Sequence, residues 1–364
     1  MIRATPVSSW IAAVLALTAA AGPEERRLAT VPDGVKLAHR PSFDAEGRTV
    51  VWSGVIDDQM WLYVGDERRA GPFECVCSPS VSARGGRVAF AGIRDGRRYA
   101  YIDGREGTAW DYVVIPVVIS EDGSSVAFAA ISGKRSFVVR DGRRGPEFDE
   151  VRAPVLSRDG KRCAVAARQG GAWRVVVDEQ PGKPFDFVDD PVFSADGSSV
   201  AYSTGFSILV GDRVLGPFEA VTPPALSGDG RKVAYGRRVA GRWLLVLDGR
   251  EQAVEGDLER AFVSADGTRI GGVVSRDRKL GVWVDGRLTG RFDQMDTPVF
   301  SPDGRRWAAA ARDGASWFIV TEDAQHGPYG DVGPPVFSAD GRQLCYGLRV
   351  GRELRIATLS ASQK

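Results

Sequence analysis

Histidine, methionine and cysteine are scarce in this chain, at two, three and four residues among 364. The two histidines, His39 and His326, sit in no motif, so neither a catalytic triad nor a zinc centre can be built on them. Four cysteines are few for an exported fold that depends on disulfides. Cys75 and Cys77 stand two apart in a stretch that reads as a strand, which turns both to one face with α-carbons too distant for an easy bridge. Cys163 and Cys345 belong to distant repeats. The expectation is therefore four free thiols serving as small apolar residues. Charge of one sign is lacking too: 48 Lys and Arg against 47 Asp and Glu leave a formal net charge of +1. Nothing global points to nucleic acid or to an anionic membrane. A glycine-rich phosphate loop is missing, since every glycine pair belongs to a turn, and no cofactor or metal is expected.

Long apolar runs are absent except for one at the start. Arg3 precedes an uncharged run from Trp10 to Ala21, closed by the small residues Ala19 and Ala21. That pattern reads as a secretory signal peptide, too short to span a bilayer as a helix and cleaved near Ala21. Export to the periplasm or the medium is the expectation, with no membrane span in the mature chain.

What is present in abundance is a phrase. Pro298-Val-Phe-Ser-Pro-Asp-Gly304 recurs as Pro154-Val-Leu-Ser-Arg-Asp-Gly160, Pro191-Val-Phe-Ser-Ala-Asp-Gly197, Pro224-Ala-Leu-Ser-Gly-Asp-Gly230 and Pro335-Val-Phe-Ser-Ala-Asp-Gly341, with degenerate copies near Pro41, Pro79, Pro116 and Ala261. The turn glycines fall at Gly47, Gly85, Gly123, Gly160, Gly197, Gly230, Gly267, Gly304 and Gly341, in steps of 38, 38, 37, 37, 33, 37, 37 and 37. A fixed period of this length marks a repeat architecture. Within the copy at Pro224, a short extended run enters the Ser-Gly-Asp-Gly230 turn, Lys232 to Gly236 forms a second strand and Trp243 to Leu247 a third. Asp248-Gly249 makes a hairpin turn, and a fourth strand reads elsewhere as Gly145-Pro-Glu-Phe-Asp-Glu-Val151 or Gly216-Pro-Phe-Glu-Ala-Val221. Four short antiparallel strands without helical periodicity describe a propeller blade. Ala89, Ala127, Ala164, Ala201, Ala234 and Ala308 share one column where blades must approach closely, and Trp61, Trp173, Trp243 and Trp317 share another that reads as interblade packing.

The repeated phrase resembles that of the WD-repeat-like, TolB-type β-propeller family, with Ser301-Pro-Asp-Gly-Arg305 matching directly and the likeness covering roughly residues 41 to 359. The resemblance implies an all-β propeller of the kind used mostly for binding and assembly, often in the periplasm, with some members attached to hydrolase or lyase domains. Nine copies imply nine blades, with eight and a displaced terminal repeat as the alternative. The expected domains are residues 1–21 as signal peptide, 22–34 as a short linker and 35–364 as one propeller. The last copy lacks a fourth strand, and Val35–Ala38 is expected to close the ring as its outer strand. With one closed unit, a monomer is the expected state.

Two functions remain open on the sequence. One is a non-enzymatic module that recognises a protein, peptide or envelope polymer through its loop face. The other is a hydrolase or lyase acting on a saccharide through carboxylates, for which Asp149-Glu150, Asp189-Asp190, Asp257, Asp293, Asp296 and Asp331 gather near the links between repeats. Their recurrence in most blades favours turn capping and ion pairs over catalysis. The best candidate for a binding feature is a notch in the fifth repeat. Its second-to-third-strand loop shrinks to Thr204-Gly-Phe-Ser207, leaving Phe206 exposed between Arg168 on one side and Arg237, Arg238 and Arg242 on the other, with Asp189 and Asp190 nearby.

Overall fold

A computed structural model describes residues 23–360, and the repeat phrase becomes nine antiparallel sheets of four strand positions each. The seventh sheet shows the pattern most plainly, with an inner strand Asp257–Val263, a second Ile270–Arg276, a third Lys279–Val284 and an outer Arg287–Phe292. These segments are rich in β-branched and aromatic residues, which suit a pleated surface covered on both faces. Tight hairpins join them: Asp285 and Gly286 both take positive φ, at 50° and 81°, the backbone that a two-residue turn between right-twisted strands requires. The chain is an all-β, nine-bladed propeller. In blades 1, 4, 8 and 9 the inner strand is split into two short pieces on the same edge of the second strand. In blade 4 these are Glu150–Val151 and Val155–Leu156, parted at Pro154, which has no N–H to give to the ladder.

An N-terminal outer strand closes the ring, but it is not the expected one. Glu24–Thr30 pairs antiparallel with Glu353–Ser360, from Glu24 opposite Thr358 to Thr30 opposite Glu353, and supplies the fourth strand of blade 9. Within the stretch expected as a linker, Glu24–Thr30 is therefore strand. Lys36–Leu37, from the segment expected to close the ring, instead pairs with Val50–Ile56 as the first half of blade 1's split inner strand. The two ends are fastened further by Arg355 to Glu25 at 2.7 Å and by Arg352, whose Nε donates to the Val31 carbonyl at 2.8 Å. The signal-peptide assignment, residues 1–21, lies outside the described residues.

Blade-to-blade packing follows the two sequence columns. Ala89, Ala127, Ala164, Ala201, Ala234 and Ala308 are all fully buried. Trp173, Trp243 and Trp317 pack against the cores they share with the next blades. The Ser-x-Asp-Gly turns hold one end of the ring. Ser301 Oγ donates to Asp303 Oδ1 at 2.6 Å and accepts the Arg306 N–H at 2.9 Å, while Asp303 Oδ1 accepts the Arg305 N–H at 3.1 Å. The same knot recurs at Ser120, Ser157, Ser194, Ser227, Ser264 and Ser338. A basic side chain beyond each of several knots then donates to the turn-glycine carbonyl of the following blade: Arg162 to Gly197 at 3.0 Å, Lys232 to Gly267 at 2.9 Å and Arg269 to Gly304 at 2.8 Å. Gly304 sits at φ 68°, and a Cβ there would lie 3.1 Å from that of Ser264, so both backbone and space require glycine. At the seam, Arg26 of the closing strand makes the equivalent contact to Gly47.

The cysteine expectation needs correction. Cys75 and Cys77 are joined by a disulfide with α-carbons 5.9 Å apart, and only Cys163 and Cys345 are free. The inner strand of blade 2 loses register between Cys77 and Ser80, and Ser78 has a positive φ of 49°. The bulge begins after Cys77, and across the bridge itself the strand stays in register with Ile93 to Ala91, its α-carbons within the range a disulfide spans.

Candidate functional site

The face opposite the Ser-x-Asp-Gly turns carries the second-to-third-strand hairpins and the links between blades. Its acids are mostly occupied by their own blades. Asp149 Oδ2 accepts the Gly170 N–H at 2.8 Å and Asp293 Oδ2 that of Gly314 at 2.8 Å, so each carboxylate closes the hairpin of the blade it introduces. Glu74, Asp111 and Glu219 do the same for Gly96, Gly133 and Ala240. Asp293 also meets Lys279 at 2.7 Å, and that ammonium together with the Gly314 N–H holds its carboxyl below the usual range. Asp257 accepts the indole N–H of Trp243 at 3.3 Å, and Glu150 lies 3.9 Å from Arg168. Asp296 and Asp331 share Arg40 of blade 1, at 2.9 and 3.3 Å, with the guanidinium 4.3 Å over the Trp317 ring. Burial raises the Asp331 carboxyl, opposed by Arg40. The histidines stay apart: His39 Nδ1 lies 2.9 Å from Ser53 Oγ in blade 1, His326 belongs to the outer strand of blade 8, and burial lowers both. Among the described residues no group of three His, Cys, Asp or Glu side chains is placed to hold a metal ion.

Blade 5 departs from its neighbours. Its second and third strands shrink to Val200–Ser203 and Ile208–Val210, and Thr204 N–H donates to Ser207 O at 2.9 Å across the shortened loop. Phe206 is 62% exposed at the tip. Phe187, on the link entering the same blade, is 42% exposed, and Gly205 lies against it. Arg152 of blade 4 spans this region: its guanidinium is 5.2 Å over Phe187 and 4.7 Å over Trp173, and it donates to the Val188 carbonyl at 2.9 Å and faces Asp190 at 3.5 Å. Asp189 accepts the Ser203 hydroxyl. The structure thus gathers Phe206, Asp189 and Asp190 on one blade, with Phe187 and Arg152 added.

The other arginines bordering the notch are placed differently. Arg168 points to Glu150 and the Gly171 carbonyl of its own blade. Arg237 is held by Glu251 at 2.5 Å and lies 5.3 Å over Phe218, at the junction of blades 5 and 6. Arg238 and Arg242 are exposed on the adjoining hairpin of blade 6. Phe187 and Arg152 were not singled out from the sequence. The second aromatic in Pro184-Phe-Asp-Phe187 was their one visible signal.

Fold and site together define a nine-bladed propeller with one interrupted blade on its loop face. No family model matches the chain, and no curated protein matches it by sequence. Solved structures are similar in fold. One, of a eukaryotic initiation factor, is 12% identical over 85% of this chain and 92% of that one, with a TM-score of 0.50. TolB from Acinetobacter baumannii is 19% identical over 60% of this chain and 54% of its own, with a TM-score of 0.32. The Dos1 propeller is 8% identical over 94% and 96%, with a TM-score of 0.47.

Proposed function

We propose that the chain is an exported binding module that engages a protein, peptide or envelope polymer on its loop face, at the interrupted blade. The observation that carries this reading is the pair Phe187 and Phe206, two large apolar side chains exposed together where the hairpin is shortened. Aromatic residues flanked by arginine are the usual anchors of recognition surfaces, because they bury much area at little entropic cost and the guanidinium stacks on rings and pairs with carboxylates. The engagement of the loop-face acids in hairpin closure and ion pairs supports binding over carboxylate catalysis. Export rests on the apolar run Trp10–Ala21 behind Arg3.

A photo-crosslinking residue at position 206, compared with one at Lys161 on the turn face, tests the reading in cells that export the chain. Adducts from position 206 alone are expected. Equal labelling from both positions, or from neither, overturns it. Protein sequencing of the exported chain should find an N-terminus just after Ala21, and a chain that stays in the cytoplasm overturns the export.

A further inference from the structure

A cavity of about 480 Å³ opens between blades 3 and 4, on the turn-face side of the ring, and the repeat itself explains why it is there. In the other junctions an aromatic side chain fills this place. Trp52, Phe90, Phe128, Tyr202, Tyr235 and Tyr346 occupy one position of the second strand, facing the preceding blade. Blade 7 has Gly272 there and supplies Trp283 from the paired position of the third strand. Blade 8 has Ala309 there and supplies Trp307 from two residues earlier. Blade 4 has Cys163, Val165 and Val176 at all three positions, and no aromatic compensates.

The consequence is visible at the neighbouring ring. The outer-strand phenylalanine of a blade ordinarily meets that aromatic: Phe73 packs on Phe90 and Tyr101 at 5.4 and 4.7 Å, Phe185 on Tyr202 at 6.4 Å, and Phe218 on Tyr235 at 5.8 Å. Phe148 of blade 3 is the counterpart, and it lines the cavity opposite Val165 instead. An unfilled apolar space of this size lies within the range of small-ligand sites.

The mouth is polar and only partly satisfied. Arg140 is committed to Ser125 Oγ and the Gly160 carbonyl. Asp141 accepts from Ser125 and the Val126 N–H, and Asp178 from the Cys163 N–H and Arg162. Arg143 and Glu179, which also line it, take part in no ion pair among the described residues.

We propose that this cavity binds a small aromatic molecule, whose ring takes the place of the missing side chain against Phe148 and whose polar end lies at the mouth between Arg143 and Glu179. The site is separate from the loop face, and its test does not depend on that surface. N-phenyl-1-naphthylamine, a neutral fluorescent aromatic, is the probe. The parent protein should bind one equivalent with a blue-shifted, enhanced emission. Val165→Phe, which restores the residue type of the sister blades, should weaken binding by at least about tenfold and raise the melting temperature. Bound probe should also slow alkylation of Cys163, read by peptide mass, without slowing that of Cys345. This measurement uses the parent protein and serves even where the variant fails to fold. Unchanged probe affinity in a folded Val165→Phe protein overturns the proposal, as does an unprotected Cys163 at saturating probe.

Discussion

On the turn face, seven blades repeat one serine-to-aspartate hydrogen bond at 2.6 to 2.7 Å, and basic side chains link several of these knots to the next glycine carbonyl. On the loop face eight blades keep a two-residue turn between the second and third strands, five of them closed by an acid from the entering link, and blade 5 departs, with shorter strands and with Phe187 and Phe206 exposed. The first face is uniform because every blade must set the same distance to its neighbour, and a change there is felt around the ring. The second tolerates the shortened loop of blade 5 because that loop ends in an exposed tip at Phe206. Stability is therefore concentrated where the sequence repeats, and the proposed recognition site lies in the one blade that departs from the pattern.

The largest test of this division is at the seam. Removing residues 23–31 takes away the fourth strand of blade 9 and with it the Arg26 contact to Gly47. The expected outcome is a loss of roughly 10 °C or more in the melting temperature, with aggregation through the exposed edge of Glu353–Ser360. Grafting the same strand behind Ser360 through a flexible linker should restore most of the loss. A truncated ring that melts with the parent would mean that closure is not what holds the turn face together.

A smaller effect is expected from a single knot. Asp303→Ala removes the acceptor of the Ser301 hydroxyl and of the Arg305 N–H, at a cost of about 1 kcal/mol, read as a fall of a few degrees at most. Phe206→Ser on the loop face should leave the melting temperature unchanged. Equal losses from the two variants would erase the distinction between the faces.

Acid titration sharpens the comparison further. The Ser157 hydroxyl, then the side chain and N–H of Lys161, hold the Asp159 carboxyl down to about 2. Asp196, Asp229, Asp303 and Asp340 are lowered in the same way, first by their serine hydroxyls. A carboxylate depressed in the folded state stabilises above its unfolded value, near 4, and that contribution is lost as the pH falls through the folded value. Melting temperature should thus hold down to about pH 4 and fall between there and about pH 2. In Ser157→Ala the Asp159 midpoint, followed by NMR, should move up. An unmoved midpoint would remove the hydroxyl as the cause.

How far these features were legible depends on what each strand touches. Nine turn glycines at a nearly constant step mark nine blades, because the step is fixed by four strand lengths and tight turns. The closing strand was misplaced because Val35–Ala38 looks like a strand and Glu24-Glu-Arg-Arg27 looks like a tail. An outer strand, however, has protein on one edge alone, and Glu24 to Arg27 are exposed in place, so charge is compatible with it. The Cys75–Cys77 bridge joins residues two apart in a regular stretch of strand, whose α-carbon spacing of 5.9 Å lies inside bridging range, so strand alternation alone does not exclude it. At the notch, the shortened loop and the exposed Phe206 follow from repeat length, whereas Phe187 and Arg152 meet there only once blades 4 and 5 are packed.

The smallest expected effect on stability, and the largest on recognition, belongs to that junction. Arg237 is spent on Glu251 and Phe218, so replacing it would disturb packing between blades 5 and 6 as much as any partner. Phe187 and Phe206 separate the two roles better. Phe206 is 62% exposed, so exchanging it for serine should shift the melting temperature by no more than about 1 °C, while Phe187→Ser also removes the ring under Arg152 and should cost a few degrees at most. With both exchanged, capture of the partner crosslinked from position 206 should fall by about tenfold or more, as expected when aromatic anchors are lost. Lengthening the Thr204–Ser207 loop by four small residues should cover the same rings and weaken capture to a similar degree, without a change in melting. If capture survives both changes, the interrupted blade is a shortened surface loop, and recognition lies elsewhere on the loop face.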